Sequence, residues 1–177
     1  MQRRHFLRQL CAVALASIGS PACARNEKAS AAAEHPESVI PKLSKPLAEW
    51  RKLLPSQAYA VLFEEATERP GSSPLNDEKR EGVFICAACY LPLFESTAKF
   101  ESGTGWPSFY QPISGHLETK TDYKLIFPRT EYHCARCGGH QGHVFDDGPP
   151  PTGQRWCNNG VALNFVPAGE QLPPLRT

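Results

Sequence analysis

From Gly82 to Phe165 the apolar residues come in short runs broken by glycine, proline and polar turns, the texture of short strands. Gly82-Val83-Phe84-Ile85, Tyr123 to Phe127, Glu131-Tyr132-His133 and Gly160 to Phe165 are the predicted strands. Upstream the period changes. Ser44 is placed to cap a helix with Pro46 in its first turn, running through Leu47, Trp50, Leu53 and Leu54. Pro55-Ser56 opens a second helix with Tyr59, Leu62 and Phe63 on one side. Both are expected to cover one end of a β core. Residues 25–42, an alanine run with Pro36 and Pro41, read as a flexible linker. The apolar stretch from Leu10 to Ile18 is too short to span a bilayer and has the length of a signal core.

The first 24 residues therefore read as a leader. Arg3 and Arg4 ahead of Phe6-Leu7 resemble a twin-arginine export signal, and Ala22-Cys23-Ala24 has the small residues of a cleavage site. An uncleaved anchor and acylation at Cys23 are the alternatives. Removing residues 1–24 takes away three arginines and no acids, which leaves 16 basic against 18 acidic residues, a net charge of −2. That balance has no cationic excess to displace counterions from nucleic acid, so nucleic acid is not an expected partner. The 17 prolines and 13 glycines argue against a helical bundle. The remainder, 43–177, is long enough for one domain.

Five of the seven cysteines lie beyond the leader. Cys86/Cys89 and Cys134/Cys137 form two Cys-x-x-Cys pairs, each just after a predicted strand, with the spacing of a closed tetrahedral zinc site. Four thiolates fill every position and leave none for a water, so the expected zinc is structural; paired redox motifs are the competing reading. Twin-arginine export carries folded proteins, so the metal can be bound before the chain meets an oxidising compartment. Cys157 is left over. Around it stand His140, His143, Asp147, Arg155 and Asn159 among closely spaced glycines. Guanidinium and imidazole neighbours are expected to push the thiol toward thiolate, and Asp147 to orient one imidazole. Trp106, in Gly103-Thr104-Gly105-Trp106-Pro107-Ser108-Phe109, is either a rigid wall for a small apolar group or a core residue at a turn.

These linked segments resemble the methionine-R-sulfoxide reductases of type B: Gly105–Phe109, the two cysteine knuckles, Gly138–Cys157 and Cys157–Phe165, over roughly Leu43 to Val166. The resemblance implies a mainly β fold of two antiparallel sheets, tent-like, clipped by the four-cysteine zinc site and preceded by short helices. It implies Cys157 as the nucleophile that attacks the sulfoxide sulfur and becomes a sulfenic acid. It implies His140 and His143 as the groups that hold and protonate the oxygen, Trp106 as the wall for the S-methyl group, and Asp147, Arg155 and Asn159 as orienting residues. Many members carry a resolving cysteine where this chain has Thr104, so the sulfenic acid is expected to be reduced by an external, thioredoxin-like thiol. The expected enzyme is a monomer that repairs oxidised, peptide-bound methionine in exported, periplasmic proteins. The reading from another class is a zinc-knuckle protein-binding module without catalysis.

Overall fold

The computed structural model describes residues 40–124 and 127–177; the predicted leader and most of the predicted linker lie outside them. Two helices come first, α1 (Leu47–Leu53) and α2 (Ser56–Glu64). Each starts directly after a proline, Pro46 and Pro55, whose fixed φ suits a helix entry. Ser44 makes no cap, in contrast to the sequence expectation. The buried face is also narrower than the pattern predicts: Trp50 and Leu54 are buried, whereas Leu47 and Leu53 face solvent. Trp50 stacks on Phe63, and Ala58, Tyr59, Val61 and Leu62 seal α2 onto the core. Ile40, near the end of the predicted linker, already packs against that core.

Among the described residues nine strands follow: β1 (Gly82–Cys86), β2 (Pro92–Glu95), β3 (Lys99–Phe100), β4 (Ser108–Phe109), β5 (Leu117–Asp122), β6 (Arg129–Cys134), β7 (His140–Phe145), β8 (Arg155–Asn158) and β9 (Leu163–Pro167). They form two antiparallel sheets, ordered β2-β1-β9 and β3-β4-β8-β7-β6-β5. This is the mainly β, two-sheet architecture expected. An aromatic row joins the sheets. Phe94 of β2 stacks on Phe109 of β4 at 4.1 Å, Phe84 of β1 meets Phe109 edge-on at 4.9 Å, and Tyr132 of β6 meets Trp156 of β8 at 4.9 Å. Phe84, Phe94, Phe109 and Tyr132 are fully buried, and such a side chain contributes about 1.5–3 kcal/mol on leaving water.

Two strand expectations are corrected. Tyr123, Lys124 and Phe127 are not in a strand: β5 ends at Asp122, whose carboxylate accepts the Lys124 N–H at 2.8 Å and turns the chain. Tyr123 and Phe127 are exposed, and Leu125 and Ile126 lie outside the described residues. Gly160–Ala162 forms a 3-10 turn, and only the remainder of the predicted last strand is extended, as β9. Among the described residues no helix is long and apolar enough to cross a membrane.

Candidate functional site

Cys157 lies in the middle of the six-stranded sheet. Its register partner on β4 is Ser108, and on β7 it is His143, with Gly142 opposite Asn158. A side chain on Gly142 would begin 1.9 Å from the Cys157 carbonyl oxygen, so glycine is what lets β7 close on β8 there. Residues directly opposite on neighbouring strands share a face, so the pairing sets the imidazole beside the thiol. They open into a cavity of about 120 Å³ lined also by Thr67, Trp106, Arg129, Phe145 and Asn159.

Each imidazole has its own carboxylate. His143 Nε2–H donates to Asp122 Oδ2 at 2.8 Å, and Arg129 donates to the same oxygen at 2.6 Å. The Lys124 N–H, followed by His143 and Arg129, holds the Asp122 carboxyl below the usual carboxylate range. His140, 3% exposed, donates from Nδ1 to Glu131 Oε1 at 2.9 Å. Burial outweighs that acceptor and lowers the His140 pKa, so this ring is neutral at pH 7. The two rings are 5.6 Å apart. A carboxylate on one ring nitrogen fixes the tautomer and leaves the other nitrogen a defined role.

The thiol departs from expectation. Burial pushes Cys157 above its ordinary value of 9.0; the Arg155 charge and hydrogen bonds from Thr104 and Arg155 pull it down, without overcoming burial. Thr104 belongs to a hydroxyl chain in which Ser102 Oγ lies 2.8 Å from both Thr104 Oγ1 and Ser108 Oγ. Asp147 orients no imidazole. It takes Arg155 in a two-pronged pair, Nε at 2.8 Å and Nη2 at 3.0 Å, and so aims the guanidinium that serves the thiol. Asn159 donates from Nδ2 to the Gln141 carbonyl at 3.0 Å. Trp106 lines the cavity and donates its indole N–H to the Glu68 carbonyl at 3.3 Å. It follows Gly105, whose φ of +88° favours glycine.

The four other cysteines among the described residues meet where β1 and β6 end. Cys86 and Cys137 sulfurs are 3.7 Å apart, Cys89 and Cys134 sulfurs 3.5 Å, and all four lie within 4.8 Å of one another. Four sulfurs about 2.3 Å from a tetrahedral ion stand about 3.8 Å apart, so the donors fit a metal ion with no vacant position. None of the four lines the Cys157 cavity.

Sequence reasoning missed Asp122, Glu131, Arg129, Thr67 and Glu68. The available signal was Glu131, an acid that directly precedes an aromatic in a predicted strand. Asp122 gave none, because its partner His143 is two strand pairings away, across β6.

A family model described as the SelR domain matches residues 54–167. The chain is 52% identical over 129 residues to a peptide methionine sulfoxide reductase MsrB of Pseudomonas putida (strain W619), covering 71% of this chain and 96% of that one. It is 53% identical over 118 residues to the MsrB of Methanosarcina barkeri, covering 66% and 83%. It is 50% identical over 118 residues to peptide methionine sulfoxide reductase B1, chloroplastic, of Arabidopsis thaliana, covering 66% and 58%. With its two-sheet fold, four-cysteine cluster and Cys157 cavity, the chain belongs to the SelR-domain family of type B methionine sulfoxide reductases.

Proposed function

We propose that the chain is a peptide-methionine (R)-S-oxide reductase in which Cys157 is the nucleophile. The observation that carries this reading is the pairing of Cys157 with His143 across β7 and β8, at a cavity walled by Trp106. The thiolate attacks the sulfoxide sulfur while His143, backed by Asp122, protonates the oxygen, since a neutralised oxygen makes the sulfur electrophilic. The sulfur–sulfur bond formed by attack and the sulfoxide S–O bond then break as the protonated oxygen bonds to the Cys157 sulfur, and methionine leaves with the two electrons that Cys157 has lost. The oxygen remains as hydroxyl on Cys157, now a sulfenic acid. His140, neutral with its Nδ1–H given to Glu131, keeps Nε2 as an acceptor, which takes a hydrogen bond only once the oxygen carries a proton. Trp106 packs on the S-methyl group.

With Thr104 at the thiol and the other mature cysteines gathered in one cluster, no second sulfur is at hand to resolve the sulfenic acid. Two external thiols, for which a thioredoxin-like dithiol is the natural source, reduce it, releasing water and a disulfide. The metal is zinc, held by Cys86, Cys89, Cys134 and Cys137 in a purely structural role that supports β1 and β6. We read residues 1–24 as a twin-arginine leader, 25–42 as a linker and 43–177 as the reductase domain, a monomer that repairs exported, periplasmic proteins.

The test is turnover of separated R and S epimers of a peptide methionine sulfoxide with dithiothreitol, for the mature chain and Cys157→Ser. R-epimer turnover that is lost in the variant, with metal content and Tm retained, is expected. No turnover of either epimer by folded, metal-loaded protein would return the chain to the binding-module reading.

A further inference from the structure

After α2 the chain runs as an irregular strap through Thr67 to Gly71 before the next 3-10 turn, and Glu68 in it is only 3% exposed. A carboxylate that far from water is costly unless hydrogen-bonded. No cation neutralises it among the described residues; its oxygens instead accept the backbone N–H groups of Gly160 at 2.5 Å and Val161 at 3.0 Å. A side chain on Gly160 would begin 1.9 Å from Ser73 Oγ and 3.2 Å from the carboxylate, so the approach depends on glycine.

The same residue uses its backbone twice more. Its N–H donates to Asn159 Oδ1 at 3.0 Å, and its carbonyl accepts the Trp106 indole N–H at 3.3 Å. Three residues on, the Gly71 N–H donates to the Gly105 carbonyl at 2.7 Å, tying the strap to the turn that presents Trp106. Trp106 and Asn159 both line the Cys157 cavity, as does Thr67 beside Glu68. They come from turns far apart in sequence, and Glu68 bonds to both.

Resting on the reductase reading, we propose that Glu68 is a positioning residue that sets the distance between Trp106 and Asn159, and so the size of the group accepted at the sulfoxide sulfur. Its carboxylate pins the strap to the start of the Gly160–Ala162 turn. Its backbone then holds the tryptophan wall and the asparagine at one spacing. Thr67 is held in the cavity wall as a consequence.

Glu68→Gln preserves shape but offers an NH2 group to one of the two N–H donors, so one bond is lost and the strap loosens. Trp106 contacts the substrate before and during reaction, so the loss falls on KM. The experiment compares wild type and Glu68→Gln on matched peptides carrying S-methyl and S-ethyl sulfoxides, R epimer, with dithiothreitol. In wild type the extra methylene is rejected by about 10-fold or more, the range for a tight apolar pocket. In the variant the methyl KM rises about tenfold with kcat within about twofold, the loss of a hydrogen bond to a charged group. The methyl-to-ethyl ratio of kcat/KM falls toward about one. Cys157 alkylation is unchanged, because Arg155 and Thr104 are untouched. Should Glu68→Gln not fold, Glu68→Asp, which keeps the charge but is one methylene short, carries the same test with a smaller shift. A lowered Tm with methyl KM and methyl-to-ethyl ratio unchanged would reduce Glu68 to a fold residue and overturn the inference. An inactive wild type would instead overturn the reductase reading, and this inference with it.

Discussion

Arg155→Gln isolates the electrostatics of the nucleophile. The guanidinium is charged, largely buried and hydrogen-bonded toward Cys157, and it opposes the burial that raises the thiol. An opposite charge beside a thiol favours its ionised form, so without the guanidinium burial raises the Cys157 thiol further. Each pKa unit leaves about tenfold less thiolate at pH 7. A more basic thiolate is also more nucleophilic, with a Brønsted coefficient of about 0.4–0.5, which returns about threefold per unit. The net expectation is therefore slower iodoacetamide alkylation at pH 7, by about threefold for each unit the thiol rises. At high pH, where both thiols are ionised, the variant is the faster of the two, so the two pH–rate profiles cross. Asp147→Asn serves as the control. The Asp147 charge pushes the thiol up while its fork on Arg155 aims the guanidinium that pulls the thiol down. Its removal sets these two opposed effects against each other, and alkylation changes less than in Arg155→Gln. The Arg155–Asp147 pair itself contributes only about 0–1 kcal/mol, because the Asp147 side chain is 64% exposed, so neither variant loses its fold. Superimposable profiles for wild type and Arg155→Gln, with Tm retained, would refute the reasoning.

Three further outcomes are expected. Cys134→Ser removes one of four metal donors, and the protein should carry well under half an equivalent of zinc and melt at much lower temperature, read by elemental analysis and calorimetry. Thr104→Cys puts sulfur at a residue whose hydroxyl acts on the Cys157 thiol, so one turnover without external thiol should leave an intramolecular disulfide, seen by non-reducing peptide mapping; wild type should leave a sulfenic acid trapped by dimedone. His140 is held neutral by burial, with its pKa below the unfolded value of 6.5. As pH falls below that value the unfolded chain binds a proton that the folded chain refuses, so stability declines there. Thermal melts of wild type should steepen in that window relative to His140→Gln.

What the sequence made legible was whatever is local. The two Cys-x-x-Cys pairs, the strands that lead into them and the crowding around Cys157 are all short-range patterns, and the structure gathers the four cysteines as their spacing implies. Helix entries were visible through Pro46 and Pro55, but Ser44 was over-read because proline had already set the first turn. The run from Tyr123 to Phe127 looked like a strand by composition alone; Asp122 wins there by capturing the next turn's N–H, a side-chain contact that periodicity does not register. Asp147 was matched to a histidine because it is near both in sequence, yet its Arg155 partner is the closer match in charge and fork geometry.

The pairs that escaped sequence share one cause. His143 and Asp122 meet because β5, β6 and β7 lie side by side, and Glu68 reaches Gly160 from the far end of the domain. The thiol and its imidazole are set by one backbone register, β7 on β8, which is rigid and central in the sheet. The wall and the asparagine are set by a strap of irregular chain that is anchored only at points. A site built this way separates two functions physically. Register fixes the reacting atoms, and substitutions there disturb the chemistry. The strap fixes the shape of the cavity, and substitutions there change which sulfoxides are accepted while the thiol keeps its reactivity. That separation is why alkylation of Cys157 and discrimination between S-methyl and S-ethyl substrates should respond to different residues, Arg155 for the first and Glu68 for the second.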